Sequence, residues 1–474
     1  MSDLDAVLKQ ADTDRQRLDS GAIGPFGLTA LGIAAVVGAG IFVTTGVAAS
    51  QYAGPAVVIS FVIAGFAAAA TSLCYAEMAA MIPAAGGTYS YAYATFGMFL
   101  AWVIGWDLLL EYLFGASTIA VGWSGYFVSA LDSAGISLPQ DLTAAPFGDD
   151  AGIVNLPAVG IVLAVCGLLA FGTRESARAN TVIVSLKIGI LVLFIAVGAW
   201  YIKDANWDPF LPANQGGFGE FGWSGVLRAA GVVFFAYIGF DAVSTAAAEV
   251  RDPKRTVPIG LLATVIVSTT LYVAIAGVMT GMASYKVLDV ADPLSAAVRA
   301  AGPSLDWLEA MLSIAAVVGL AATAMVIFYG QTRILMRMAS DGLLPDWMGK
   351  VSGKHQTPIG ATAVCAAGGA LCAGLLPITA LADLVSIGTL FAFIIVCSAV
   401  LVLRRKRPDL ERPFRVPALP LVAGIGIAAA LGLIATLPVT TWIRLIVWLL
   451  IGMVIYLSWG RAHSRARMAS LGDG

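Results

Sequence analysis

Charge is what this sequence has least of. Asp, Glu, Lys and Arg make up 12% of its 474 residues, about half the share usual in soluble domains. With 59% hydrophobic residues and 52 glycines besides, a water-soluble chain of this size could not cover its apolar surface. That excludes a soluble enzyme and a disordered chain. There is no basic block either: 27 Lys and Arg stand against 29 Asp and Glu, a net charge of −2, which excludes a nucleic-acid binder. Histidine is nearly missing. His355 and His463 both lie in basic, loop-like stretches, so neither a metal site nor a catalytic triad is expected, and the chain is read as a non-enzyme. The five cysteines, Cys74, Cys166, Cys365, Cys372 and Cys397, all lie in apolar runs without CxxC spacing. They read as small packing residues. Residues 1–26 are polar and carry Asp3, Asp5, Asp12, Asp14 and Asp19, so no cleavable signal peptide is expected.

What is present is apolar length. Runs long enough to cross a bilayer fall at about 27–49, 56–82, 97–131, 152–171, 180–202, 224–249, 256–282, 307–338, 358–376, 380–403, 418–438 and 441–460. These twelve are numbered segments 1 to 12. No period-2 alternation appears, so they are helices, and the fold class is an all-α polytopic membrane protein. With the N-terminus in the cytoplasm, 21 of the 27 Lys and Arg residues fall inside and 4 outside, while Lys187 and Arg228 fall within segments. The asymmetry supports an even count with both termini cytoplasmic. The loops are too short for a soluble catalytic domain.

Two segments carry breaks. Segment 1 holds Gly38-Ala39-Gly40 near its middle. Glycines there weaken the helix and let the backbone approach a ligand. A break would leave free N–H groups and a positive dipole end at Gly40-Ile41-Phe42, suited to a carboxylate. Spacing alone equally allows small residues that pack helices closely. Segment 6 holds Phe235-Ala236-Tyr237-Ile238-Gly239-Phe240-Asp241. Gly239 relaxes the backbone, and Asp241 suits the N-cap of a new half-helix. Unwinding would expose the carbonyls of Phe235, Ala236 and Ile238 to an ammonium group. Broken first helices in each half of a five-plus-five inverted repeat place substrate between them. Segments 1–5 (within 27–203) and 6–10 (within 204–403) fit that scheme. Segments 11 and 12 (404–460) are appended, with tails at 1–26 and 461–474.

GAGIF in segment 1, AEMAAMIPAAGGTYSYAYATFG after segment 2 and FFAYIGFDAVSTAAAEVRDPKRTVP in segment 6 resemble the amino acid–polyamine–organocation superfamily. YGQTRILMRMASDGLLP after segment 8 is similar to its bacterial cationic amino acid transporter branch. The resemblance spans about residues 22–460 and implies the leucine-transporter fold with alternating access. It assigns Gly38, Ala39 and Gly40 to the substrate carboxylate, and the carbonyls of Phe235, Ala236 and Ile238 to the α-amino group. Phe235 becomes an aromatic gate. Ala39 stands where relatives often carry a hydroxyl.

Lys187 lies within segment 5, in SLKIG. Position alone leaves snorkelling to the interface open. The resemblance implies that its ammonium replaces sodium and that its proton drives helix movement. Asp107 and Glu111 share one face of segment 3, and Glu111 is the expected partner of Lys187 or of a shared proton, so that proton coupling is expected at Lys187 and Glu111. Candidate pocket walls are Ile41, Phe114, Phe235, Ile238 and Met325, mostly apolar, flanked by Gly239. The function expected is proton-coupled uptake of L-amino acids, neutral ones favoured and cationic ones allowed. The alternatives are sodium-independent exchange of amino acids or polyamines, and a non-transporting amino acid sensor. No cofactor or sodium is expected, only the proton. The partners expected are the substrate and membrane lipids, with oligomeric state left open, in the plasma membrane of a bacterial cell.

Overall fold

The computed structural model describes residues 24–82, 87–147, 152–171, 177–245, 250, 252–352, 357–461 and 463. Most of both expected tails therefore lies outside the described residues. Every regular element among these residues is helical, as long apolar runs in a medium without water require: the helix satisfies its backbone polar groups internally. Proline stands in the first turn of several helices, at Pro25, Pro157, Pro303 and Pro420, where its missing N–H costs nothing. Asn155 caps segment 4, its side chain accepting from Ala158 N at 3.1 Å and from Ser124 at 2.7 Å.

Each expected segment coincides with a helical stretch. Segments 3, 7, 8 and 10 form the long helices Met98–Ser133, Pro253–Met282, Asp306–Ser340 and Ile378–Lys406. Segments 4 and 9 are shorter, Leu156–Ala170 and Ile359–Leu375. Among the described residues, eight helices are long and apolar enough to cross a membrane. Segment 8 lies along segment 3, segment 7 along segments 2 and 1, and segment 10 along segment 3. The interior is built from alanine and glycine where helices approach closely, the packing mode available in an apolar solvent. Outward faces carry large apolar side chains such as Leu186, Ile266, Ile314, Leu371 and Leu450, as a lipid-facing surface does.

At one end of the bundle, buried Glu77 of segment 2 accepts Arg404 Nε of segment 10 at 2.9 Å and Val416 N at 2.7 Å. Arg412 stands 3.6 Å away. At the other end, the turn between segments 11 and 12 reaches segments 6 and 10: Arg228 donates to Thr436 O, and Thr441 to Asp383.

Candidate substrate and coupling site

Segment 1 breaks where its glycines stand. The helix Pro25–Val36 ends as Val37 turns to ψ 87°. The chain resumes with a wide turn over Gly40–Thr44, closed only loosely by Ile41 N and Phe42 N on Gly38 O at 3.2 and 3.4 Å. Thr44 and Thr45 donate their hydroxyls to Gly40 O at 2.6 and 3.2 Å. Segment 6 breaks likewise. Helix Gly222–Val233 tightens over Phe234–Tyr237 and then runs extended at Ile238. Gly239 takes φ +102°, a left-handed conformation that glycine adopts freely. Asp241 stands immediately before the helix Ala242–Thr245, and its carbonyl accepts Ser244 N at 2.8 Å.

The two breaks touch. A Cβ on Gly40 would overlap the Cα and Cβ of Ala236, and one on Gly239 would come within 3.0 Å of the Ala35 backbone. Glycine at 40 is therefore required by the neighbouring break as well as by any ligand. The Tyr272 hydroxyl of segment 7 lies 2.8 Å from Val36 O and 2.9 Å from Ala236 O, bridging the two interruptions. Phe235 O accepts Ile238 N at 3.2 Å. Two of the three carbonyls expected to face an ammonium group are thus engaged within the protein in this closed arrangement. Ile41 and Phe235 are buried, and Ile238 and Met325 half-buried. Phe114 instead sets its ring edge-on to Trp448 of segment 12, with centroids 6.0 Å apart.

Lys187 is 2% exposed. It does not snorkel. Its ammonium donates to Ala34 O of segment 1 at 3.2 Å and to Thr323 Oγ1 of segment 8 at 3.0 Å. Its stem crosses Gly319, where a Cβ would stand 2.9 Å from Lys187 Cδ. A Cβ on Gly38 would meet the Thr323 methyl at 3.2 Å. The lysine thus joins segments 1, 5 and 8 at the base of the first break.

The structure does not bring Glu111 to Lys187. Glu111 faces Thr389 of segment 10, and its charged neighbours are Asp241 and Asp107. The expected pair fails because segment 5 turns Lys187 into the groove between segments 1 and 8, while segment 3 turns its acidic face toward segments 6 and 10. Residues that the sequence reading missed are Thr323, Tyr272 and the Ala34 carbonyl. A tyrosine in mid-segment needs a partner for its hydroxyl, and that signal pointed to Tyr272. Nothing local marked Thr323 or Ala34.

A model of the amino acid permease family matches residues 23–465. The branched-chain amino acid permease BcaP of Bacillus subtilis (strain 168) is 46% identical over 447 residues, 94% of each chain. The methylthioribose transporter of the same organism is 42% identical over 442 residues, 93% of this chain and 94% of that one. Cationic amino acid transporter 1 of Arabidopsis thaliana is 37% identical over 375 residues, covering 79% of this chain and 61% of the plant protein. These relatives are transporters, not enzymes, and the chain belongs to the amino acid permease family.

Proposed function

We propose that this protein is a secondary active permease that couples inward proton movement to uptake of neutral L-amino acids, with branched-chain side chains favoured. The observation that carries the reading is the Lys187 ammonium, hydrogen-bonded to segments 1 and 8 beside the first break. A cation fixed there makes a sodium ion redundant. Loss of its proton would leave a neutral amine and weaken the two charge-assisted hydrogen bonds that hold the break in place. Substrate then sits between the interruptions, its carboxylate on the N–H groups after Gly38-Ala39-Gly40 and its ammonium near the carbonyls around Ala236 once Tyr272 yields.

Neutral specificity rests on the apolar walls Ile41, Phe235, Ile238 and Met325, and on the similarity to a branched-chain permease. The acidic residues Asp107 and Glu111 lie toward segment 10, away from the segment 1–8 groove that holds Lys187. Our reading of the architecture is twelve spans, a five-plus-five inverted repeat plus segments 11 and 12. Both termini are cytoplasmic, so the Glu77 end faces inward and the Asp383 end outward.

Purified protein heated with leucine, valine, arginine or methylthioribose separates the substrate classes, because a ligand of the native state raises apparent stability. Leucine and valine are expected to protect most. Protection by arginine alone would move the substrate to the cationic class. Protection by methylthioribose alone, a sugar without carboxylate or ammonium, would displace the amino acid reading. Leucine uptake into empty proteoliposomes driven by an inward proton gradient distinguishes symport from obligate exchange, which gives none.

A further inference from the structure

A small cleft opens at the Asp383 end. It is lined by Thr44 and Tyr52 from segment 1 and the turn after it, by Val232 of segment 6, and by Thr379 and Asp383 at the start of segment 10. Thr44 lies four residues beyond Gly40, about 6 Å farther along a helical axis, so the cleft stands directly outward of the two breaks. It has room for about one water.

Asp383 lines this cleft, and Arg228 lies behind its Tyr52 wall. Arg228 and Asp383 lie close enough for their charges to interact, yet each spends its hydrogen bonds elsewhere. Arg228 donates to Thr436 O at 2.8 Å and stacks over the Tyr52 ring, 5.2 Å from its centroid. Asp383 accepts the Thr441 hydroxyl at 3.2 Å. Arg228 Nε is buried and has no hydrogen-bond partner. A guanidinium with a free N–H recognises a planar carboxylate by its fixed fork. A buried carboxylate with hydroxyls beside it suits an ammonium. The wall between them is apolar.

Resting on the permease reading, we propose that Arg228 and Asp383 form an outer staging subsite for a zwitterionic amino acid. Arg228 takes the carboxylate and Asp383 the ammonium before the molecule moves one turn inward to the interruptions. Thr436 and Thr441, at the ends of segments 11 and 12, take the hydrogen bonds of the two charges, so the charges do not neutralise each other. Arrival of substrate then requires Thr436 and Thr441 to swing away.

Proteoliposome uptake of leucine tests this with Asp383→Asn and Thr441→Val. Asp383→Asn is expected to raise KM about tenfold or more, while leucine still stabilises the purified variant. Thr441→Val removes the hydroxyl but keeps the charge, and is expected to change KM by less than about twofold. Equal losses in the two variants would mean that Asp383 is only a latch, and would overturn the subsite. Asp383→Cys gives an independent readout. An externally added anionic thiol reagent is expected to restore uptake, and a cationic one to leave it impaired; equal responses count against the proposal. If leucine stabilises the wild-type protein and Asp383→Asn has wild-type KM, the subsite fails and the permease reading stands. If no amino acid binds the wild-type protein, both fall.

Discussion

Lys187 and the acidic face of segment 3 are both buried within the bundle, and they are built in opposite ways. Lys187 is anchored: both of its hydrogen bonds reach other segments, one to the Ala34 carbonyl and one to Thr323. The acidic face of segment 3 is not. Neither oxygen of Asp107 has a hydrogen-bond partner, nor does Oε1 of Glu111, and the nearest charges are like charges. A charge tied to two moving elements reports their relative position, since any shift breaks a bond worth about 1.5–3 kcal/mol. Asp107, buried without a donor, reports nothing by that route, and Glu111 has only the Thr389 hydroxyl beside it. Within the proposed permease mechanism, coupling is therefore assigned to Lys187 and not to the segment 3 acids.

The largest effect expected follows from removing the anchored charge. Lys187→Ala leaves Thr323 and the Ala34 carbonyl without their shared donor. Leucine accumulation driven by an inward proton gradient is expected to disappear, while thermal stabilisation by leucine persists in part. The contrast between the sites would not survive if gradient-driven uptake in this variant matched the wild type.

Thr323→Val comes next. It keeps the shape and deletes one acceptor of a charged donor, so uptake is expected to fall by the equivalent of about 1.5–3 kcal/mol, roughly ten- to a hundredfold. In thermal unfolding, the stability losses of Thr323→Val and Lys187→Ala should be non-additive, with an interaction energy of about 0.5–3 kcal/mol, because the residues touch. In the same measurement, Glu111→Gln and Lys187→Ala should add within about 0.5 kcal/mol. A large interaction energy in that second cycle would restore the pairing that the structure does not form.

Sequence and structure part company at the same place. The helices were legible because each is a run of apolar residues of bilayer length, and composition alone sets that signal. The breaks were legible too: Gly38, Gly40, Gly239 and Asp241 announce them by residue type. What the sequence could not disclose was rotation about a helix axis. Lys187 and Glu111 sit on segments 5 and 3 at depths that invite pairing, and a one-dimensional string holds no record of which groove each faces. Thr323 was invisible for a related reason. A threonine in mid-segment ordinarily bonds its own helix, as Thr323 also does to Gly319 O at 2.9 Å, so its second role appears only once segment 5 is laid against segment 8. Gly40 shows the same limit in milder form. Its type predicted a close approach, but the approaching group proved to be the Ala236 backbone.

The smallest effect is expected where the burial is deepest. Asp107 is fully buried and has no ion pair or hydrogen bond to lose. Asn is nearly its shape and carries no charge, so Asp107→Asn removes a desolvation cost without stranding a partner. Breaking a paired buried charge typically costs about 3–5 kcal/mol because the partner is left exposed to an apolar interior; here that term is missing. Thermal unfolding of the purified variant should therefore shift little, or upward, and leucine uptake should stay within a few-fold of wild type. A marked drop in stability would show that Asp107 holds a partner after all. The acidic face of segment 3 would then be as firmly anchored as the lysine, and the distinction between the two sites would have to be redrawn around what binds there.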